Sequence, residues 1–413
     1  MSLRFALKRF LEEARSSFHP DFDDYFLPAG RALLRGQSPW SVRGYVHPPL
    51  NALVAGLSDL LPGNPYTGYL AVQVMAGLAA CALIVWPLSA RLQIWQQALV
   101  FVGANQTLWS SRPTIRLLFL GQNDLLLLFA VVLCAALASR GRSGLAALAL
   151  TLGAWIKLWP ALNLVWVAHR RLPHRRRAIV AGAGSLVAIA FCPLLLGGPS
   201  AAMQWFRGVL GVANQGLTSY SALGAGEALF STSSPFVISI TESPALVLLT
   251  TGVLTALALA LIAICLTWVA DPVACLFAVT SLCLVLLSVS QYPYQVLVLP
   301  LAWYWAAHVL TEPRAVRYWV VLAAAGLWWV TMCFWVPPAV SLDLTNPVIS
   351  SEAFLIQFVS FVGFLAVSVA VAVLDTHPDQ FRPRPMPWGS RSAPQPSSTS
   401  AWSNANRSVM PPT

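Results

Sequence analysis

Apolar residues along this chain come in runs of roughly 20, the length that the hydrocarbon core of a bilayer demands of a helix. Runs at 66–88, 93–110, 121–138, 178–197, 245–269, 272–290, 296–311, 317–337 and 353–374 are separated by short polar or turn-forming stretches. They predict nine membrane-spanning helices. A further apolar stretch between Arg142 and Arg170 is broken at Lys157-Leu158-Trp159-Pro160; it reads as a short hairpin over 143–169 that enters and leaves on one side. Residues 3–18 follow another rule: Leu3, Leu7, Phe10, Leu11, Ala14 and Phe18 share one helical stripe, and Arg4, Lys8, Glu12, Glu13 and Arg15 lie around the rest. That pattern predicts an amphipathic interfacial helix in 1–18 and not a signal peptide. The apolar run from Leu50 to Leu61, interrupted by Asp59, predicts a helix lying along or dipping into the surface. From Asp375 onward Pro, Ser and Asn dominate, so 375–413 is expected to be a disordered cytoplasmic tail on a membrane domain spanning 19–374.

Composition sharpens the class. With 57% hydrophobic and 10% charged residues and a mean hydropathy of +0.67, the chain is far from the ~25% charge of a globular protein. An all-α polytopic membrane protein is the expectation, its 17 Trp supplying interfacial belts and its 30 Pro marking broken helices and structured loops. The net charge of +10 is almost wholly arginine and is clustered, a topology signal and not a nucleic-acid surface. Arg140, Arg142, Arg170, Arg171, Arg175, Arg176, Arg177, Arg314, Arg317, Arg382, Arg384 and Arg391 should face the cytoplasm. Residues 19–47, 111–120, 198–244, 291–295 and 338–352 then face outward. The seven cysteines sit singly in apolar runs, without metal-ligand or disulfide spacing. Arginine richness with only two lysines points to a GC-rich bacterial genome, hence a bacterial plasma membrane.

Few polar residues in this frame need explaining. Asp21, Asp23 and Asp24 place three of the fifteen acidic residues within four positions, which is either a solvated loop or a reaction centre. Three such carboxylates could also ligate a divalent ion, although no cofactor is required. Lys157 sits between Trp155 and Trp159; a cation at membrane depth is costly unless paired, so it is a site candidate, the alternative being a lysine that snorkels from a helix end. Gly121-Gln122-Asn123-Asp124 opens a long apolar helix, where Asn123 or Asp124 can cap the first turn. Arg112 and Arg116 precede it against the positive-inside trend and could meet a lipid phosphate. Asn214-Gln215-Gly216-Leu217 and Gln291-Tyr292-Pro293-Tyr294-Gln295 are hydrogen-bonding outer loops, or ordinary turns.

Taken together, D-F-D-D-Y-F-L-P-A-G-R-A-L-L-R-G-Q-S-P-W, V-H-P-P-L, L-G-Q-N-D, L-G-A-W-I-K-L-W-P and A-N-Q-G-L resemble glycosyltransferase family 87 over most of residues 19–300. The resemblance implies a GT-C-type multi-helix bundle with outer-face loops and juxtamembrane helices. It implies transfer of a sugar, often mannose, from a polyprenyl-phosphate donor to a lipid or glycan acceptor, with inversion at the anomeric carbon. Asp21, four residues before Tyr25, matches the family's proposed general base. Lys157, Arg112, Arg116 and His47 would then meet the phosphate, and Gln122, Asn123, Asn214, Tyr294 and Gln295 would bind substrate.

Two features depart from the family pattern. No spanning helix precedes the acidic stretch, so the resemblance implies either a shortened start or a translocated N-terminus, and Tyr292-Pro293-Tyr294-Gln295 stands where many members carry a histidine. A transporter or flippase for a lipid-linked glycan, or a non-catalytic relative, would use the same architecture.

Overall fold

The computed structural model describes residues 19–213, 219–231, 240–334 and 351–375. The interfacial helix expected in 1–18, the tail beyond Asp375, the 338–350 loop and Asn214 lie outside them. Among the described residues the chain is helical with no strand: it is an all-α, polytopic membrane protein. Five helices are long and apolar enough to cross a membrane: Pro65–Leu88, Arg175–Gly211, Pro244–Thr267, Val316–Cys333 and Phe354–Leu374.

A π-helical turn, Phe22–Phe26, runs into α1 (Leu27–Leu34), and α2 (Pro49–Asp59) crosses it. Gly30 and Gly56 make that crossing close, since a Cβ on Gly30 would lie 2.4 Å from Gly56 N. Arg31 pairs with Asp59 at 2.7 Å across the same two helices. α3 (Pro65–Leu83) is capped by Asn64, whose side chain accepts from Tyr66 N at 2.9 Å. α4 (Ile94–Ser110) is followed by α5 (Arg112–Leu120), capped by Ser111 with Pro113 in its first turn. The stretch 111–120, expected to face outward, is a helix, started by this cap and proline.

α6 (Asp124–Ala138) and α7 (Ser143–Ile156) form an antiparallel hairpin turned at Arg140–Arg142. The chain leaves α7 at Lys157 in extended conformation and doubles back as a 3-10 helix, Trp159–Ala168. Side chains fix that direction: Gly182 faces both Leu164 and Ala147, one turn into α7, while Arg177 lies beside Gly144 at the start of α7.

α8 (Arg175–Ala213) continues past the expected end at residue 197, but kinks at Gly198, which adopts φ 72 next to Pro199. Its second half lies over the segment before α2, where Trp205 Nε1 donates to Val46 O at 3.0 Å. α9 (Ala222–Phe230), within a stretch expected to face outward, is followed by α10 (Pro244–Thr267), α11 (Pro272–Leu286), the 3-10 segment Tyr292–Val298, α12 (Leu299–Thr311), α13 (Val316–Phe334) and α14 (Ser351–Leu374).

α6 and α11 are apolar and buried on almost every side, which makes them the centre of the bundle. The 15-residue length of each gives about 22 Å at ~1.5 Å per residue, short of the ~30 Å hydrocarbon core. Nine full spans were expected; helices this short work because protein surrounds them. α8 and α10 instead turn Val180, Leu195, Leu248 and Leu249 outward, as lipid-facing helices do.

Arginines cluster at the turn end of the α6–α7 hairpin. Arg140 covers Trp86 at 3.6 Å, Arg170 N donates to Leu266 O, and Arg317 pairs with Asp375. Asp21, Gln122, Lys157 and Gln291 meet at the other end of the α6–α7 hairpin.

Candidate functional site

Lys157 is placed by a break in the chain. Its N–H closes the last turn of α7 on Gly153 O, and its extended backbone then aims the side chain across at the first turn of α6. There Nζ donates to Asp124 Oδ1 at 2.9 Å and Oδ2 at 3.1 Å, and to Gln122 Oε1 at 3.1 Å. The ring of Tyr294 lies 4.5 Å from Nζ, with Trp159 stacked on Tyr294 at 5.8 Å. The ammonium is therefore surrounded by a carboxylate, an amide oxygen and an aromatic face, the three partners that make a buried cation tolerable. It does not snorkel. Asp124 is fully buried and faces Lys157, with a lesser hydrogen bond to its own backbone N–H at the helix start.

Gln122 joins this pair to the acidic stretch. Its Nε2 donates to Asp21 Oδ2 at 2.7 Å and to Gln291 Oε1 at 2.8 Å. Asp21 precedes the π-helical turn, which rests on the α5–α6 junction at Gly121. A Cβ on Gly121 would lie 2.6 Å from Phe22 Cβ, and Gly121 has φ 70, so two independent constraints demand glycine there. His19 stacks on Tyr66 and contacts Phe119 O, locking the same stretch. Tyr66 in turn donates to Leu118 O.

Burial raises the Asp21 carboxyl above its ordinary value; the Gln122 hydrogen bond and the charges of Lys157 and Arg116 pull it down, and Asp124 pushes it up. Asp21 Oδ1 receives no hydrogen bond from a described residue, and the side chain is partly accessible. Asp23 is occupied by the backbone N–H of His19, and Asp24 is exposed. Among the described residues no three His, Cys, Asp or Glu converge as metal ligands would.

His47 stands edge-on to Phe26 at 5.2 Å and Tyr45 at 5.8 Å, near the same centre. Burial, and then the charge of Lys157, push its imidazole down to about 3, so it is a neutral hydrogen-bonding group and not a cation. Arg116 lies 5.2 Å from the Phe119 ring and its charge reaches Asp21. Arg112 is exposed at the start of α5, and its charge acts on Tyr292 and Cys333, to the side of the cluster.

Of the residues expected from sequence, the structure brings together Asp21, Gln122, Lys157 and Tyr294, with His47 and Arg116 within electrostatic reach. Asn123 is buried beside them with neither amide atom partnered among the described residues, and it does not cap α6. Gln295 points elsewhere: its Oε1 accepts from Trp328 on α13 at 3.3 Å. Asp124 and Gln291 complete the cluster and were read only as cap and turn. Asp124 carried a signal, because a lysine inside the bundle requires an anion and G-Q-N-D supplies one at the head of an apolar helix.

A family model described as glycosyltransferase family 87 matches residues 45–290. The match covers His47, Arg112, Arg116, Gln122, Asp124 and Lys157; Asp21, Gln291, Tyr294 and Gln295 fall outside it. No curated protein matches the chain.

Proposed function

Because the chain belongs to glycosyltransferase family 87, and is therefore a membrane glycosyltransferase, we propose that it moves a sugar, mannose being the first choice, from a polyprenyl-phosphate donor to an acceptor hydroxyl. The observation that carries this reading is the bridge through Gln122: a partly accessible, desolvated carboxylate at Asp21 is tied by one amide to a buried cation at Lys157.

The chemistry follows. The acceptor oxygen attacks the anomeric carbon while its proton passes to Asp21 Oδ1. The bond between the anomeric carbon and the phosphate oxygen breaks, and its electron pair leaves with the polyprenyl phosphate. A single displacement inverts the anomeric centre and needs no second carboxylate. A base raised above the ordinary carboxylate range is better matched to an alcohol proton, and positioned general bases contribute roughly 10²–10⁴-fold.

The departing phosphate gains negative charge. Arg116 is the accessible cation whose field already reaches Asp21, and it is assigned to the phosphate with Arg112 at the rim. Lys157, whose donors are engaged, contributes its field and holds Gln122. Tyr294 and the neutral His47 supply hydrogen bonds to sugar hydroxyls. The site lies at the end of the α6–α7 hairpin opposite its arginine-bearing turn, which supports reading that end as the outer face, in a bacterial plasma membrane, by the positive-inside rule.

The test is transfer of labelled sugar from a polyprenyl-phosphate donor by purified protein, with Asp21→Asn beside wild type. Loss of transfer with retained donor binding supports the base. Undiminished transfer by the variant removes Asp21 from that role.

A further inference from the structure

We propose that Gln291 is a positioning residue of this active site, holding the amide of Gln122 in the one orientation that serves Asp21 and Lys157 together. The inference rests on the transferase reading above and adds to it a residue that lies beyond the family match.

Gln122 faces groups of opposite demand. Its Oε1 receives the Lys157 ammonium, and the two hydrogens of its Nε2 go to Asp21 Oδ2 and Gln291 Oε1. Turned by half a rotation, the amide would set its NH2 against the ammonium and its oxygen against a carboxylate and a second amide oxygen. The contacts with the ammonium and the carboxylate would change from attractive to repulsive. Gln291 accepts the remaining Nε2 hydrogen, and without it one N–H of a buried amide has no acceptor.

Gln291 is itself held from both sides. Ser290 is pinned to the segment before α9, where Tyr220 N donates to Ser290 O at 2.7 Å and Ser290 N donates to Ser219 Oγ at 2.6 Å. Tyr292 donates to Met332 O on α13. Tyr220 reaches on to Gln357 of α14 at 2.6 Å. The acceptor is thus mounted on α9, α13 and α14, while the amide it orients belongs to the α5–α6 junction and the base to the acidic stretch. Asp21, Gln122, Lys157 and Gln291, from four distant parts of the chain, thus meet at one side-chain amide.

The consequence is a tuned base. With Gln291 in place the Gln122 N–H stays on Asp21 and stabilises the carboxylate; when Gln122 rotates away that stabilisation is lost and the carboxyl holds its proton to higher pH.

The experiment compares full-length wild type, Gln291→Met, Gln291→Glu and Asp21→Asn in lipid. It reads kcat and KM against pH, together with an infrared titration of the carboxyl band that disappears in Asp21→Asn. Methionine keeps the length and removes the acceptor; glutamate keeps an acceptor. The expected result for Gln291→Met is a fall in plateau kcat of roughly ten- to a hundred-fold, the scale of a small misplacement, little change in KM, and an upward shift of the Asp21 titration. Gln291→Glu should retain most of the plateau kcat, with the acid limb moved up by its added charge. Wild-type kcat and an unshifted titration in Gln291→Met overturn the proposal, as does equal damage in the Met and Glu variants. If Asp21→Asn transfers sugar normally, the base reading falls instead, and the infrared shift still decides whether Gln291 governs the Asp21 contact.

Discussion

Lys157 Nζ lies 2.9 Å from Asp124 Oδ1, and the two side chains are 3% and 0% exposed. Breaking such a pair by removing one partner strands the other charge, at a cost of about 3–5 kcal/mol. Lys157→Met should lower the thermal unfolding midpoint in detergent, and Asp124→Asn should do so by a similar margin. The double variant Lys157→Met/Asp124→Leu should recover most of the stability, because neither charge remains. It should still fail to transfer sugar, because Gln122 has lost its cation. A single variant that melts like wild type would show the pair to be solvated.

The acid limb of the rate belongs to Asp21. The base works deprotonated, and its carboxyl is raised by burial, so kcat/KM should fall as pH drops through a midpoint above the ordinary aspartate value. Gln122→Leu removes a hydrogen bond that favours the carboxylate; the midpoint should therefore move further up. A downward move, or none, in a pH–rate profile of that variant would contradict the assignment.

His47 should leave no mark on the same profile between pH 5 and 8. With its imidazole pushed down to about 3, it is neutral throughout that range. His47→Gln keeps neutral hydrogen bonding and should reproduce the wild-type profile shape. A limb near the ordinary histidine value that vanishes in His47→Gln would show that the imidazole titrates during catalysis.

Gly121 and Gly141 offer a matched pair. Both hold positive φ, 70 and 72, so alanine at either should cost roughly 1–2 kcal/mol of left-handed strain. A Cβ on Gly141 meets nothing within 4 Å, whereas one on Gly121 meets Phe22 at 2.6 Å. Gly121→Ala should therefore also displace the Asp21 segment and cost transfer activity up to about a hundred-fold, while Gly141→Ala should lose stability alone. Equal activity in the two variants, assayed at matched folded fraction, would argue against the docking described.

The class of the molecule was legible in the length of its apolar runs, and so was the break at Lys157–Pro160, because a lysine and a proline inside an apolar stretch are visible without any partner. What was not legible depends on facing helices. The nine expected spans came from counting apolar residues, which cannot distinguish a helix wrapped by lipid from α6 or α11, wrapped by protein. Asp124 was read as a cap because local sequence shows its own helix and not the lysine opposite. Gln291 and Gln122 are 169 residues apart, and no spacing rule joins them. Residues 111–120 were read only as facing outward and no helix was drawn there, although Ser111 and Pro113 carry the cap and first-turn signal of one.

The α6–α7 hairpin carries one further implication, for biogenesis. A charge presented alone to the hydrocarbon is costly to insert. Asp124 and Lys157 stand at the head of one limb and the foot of the next, 33 residues apart, and meet as soon as the two helices pair. Once paired, Asp124 and Lys157 cancel one another at the open end of the hairpin, while Arg140 and Arg142 stay at its turn as the anchor that halts it. The charges that later hold the reaction centre together would already have cancelled one another during insertion, before the acidic stretch docks.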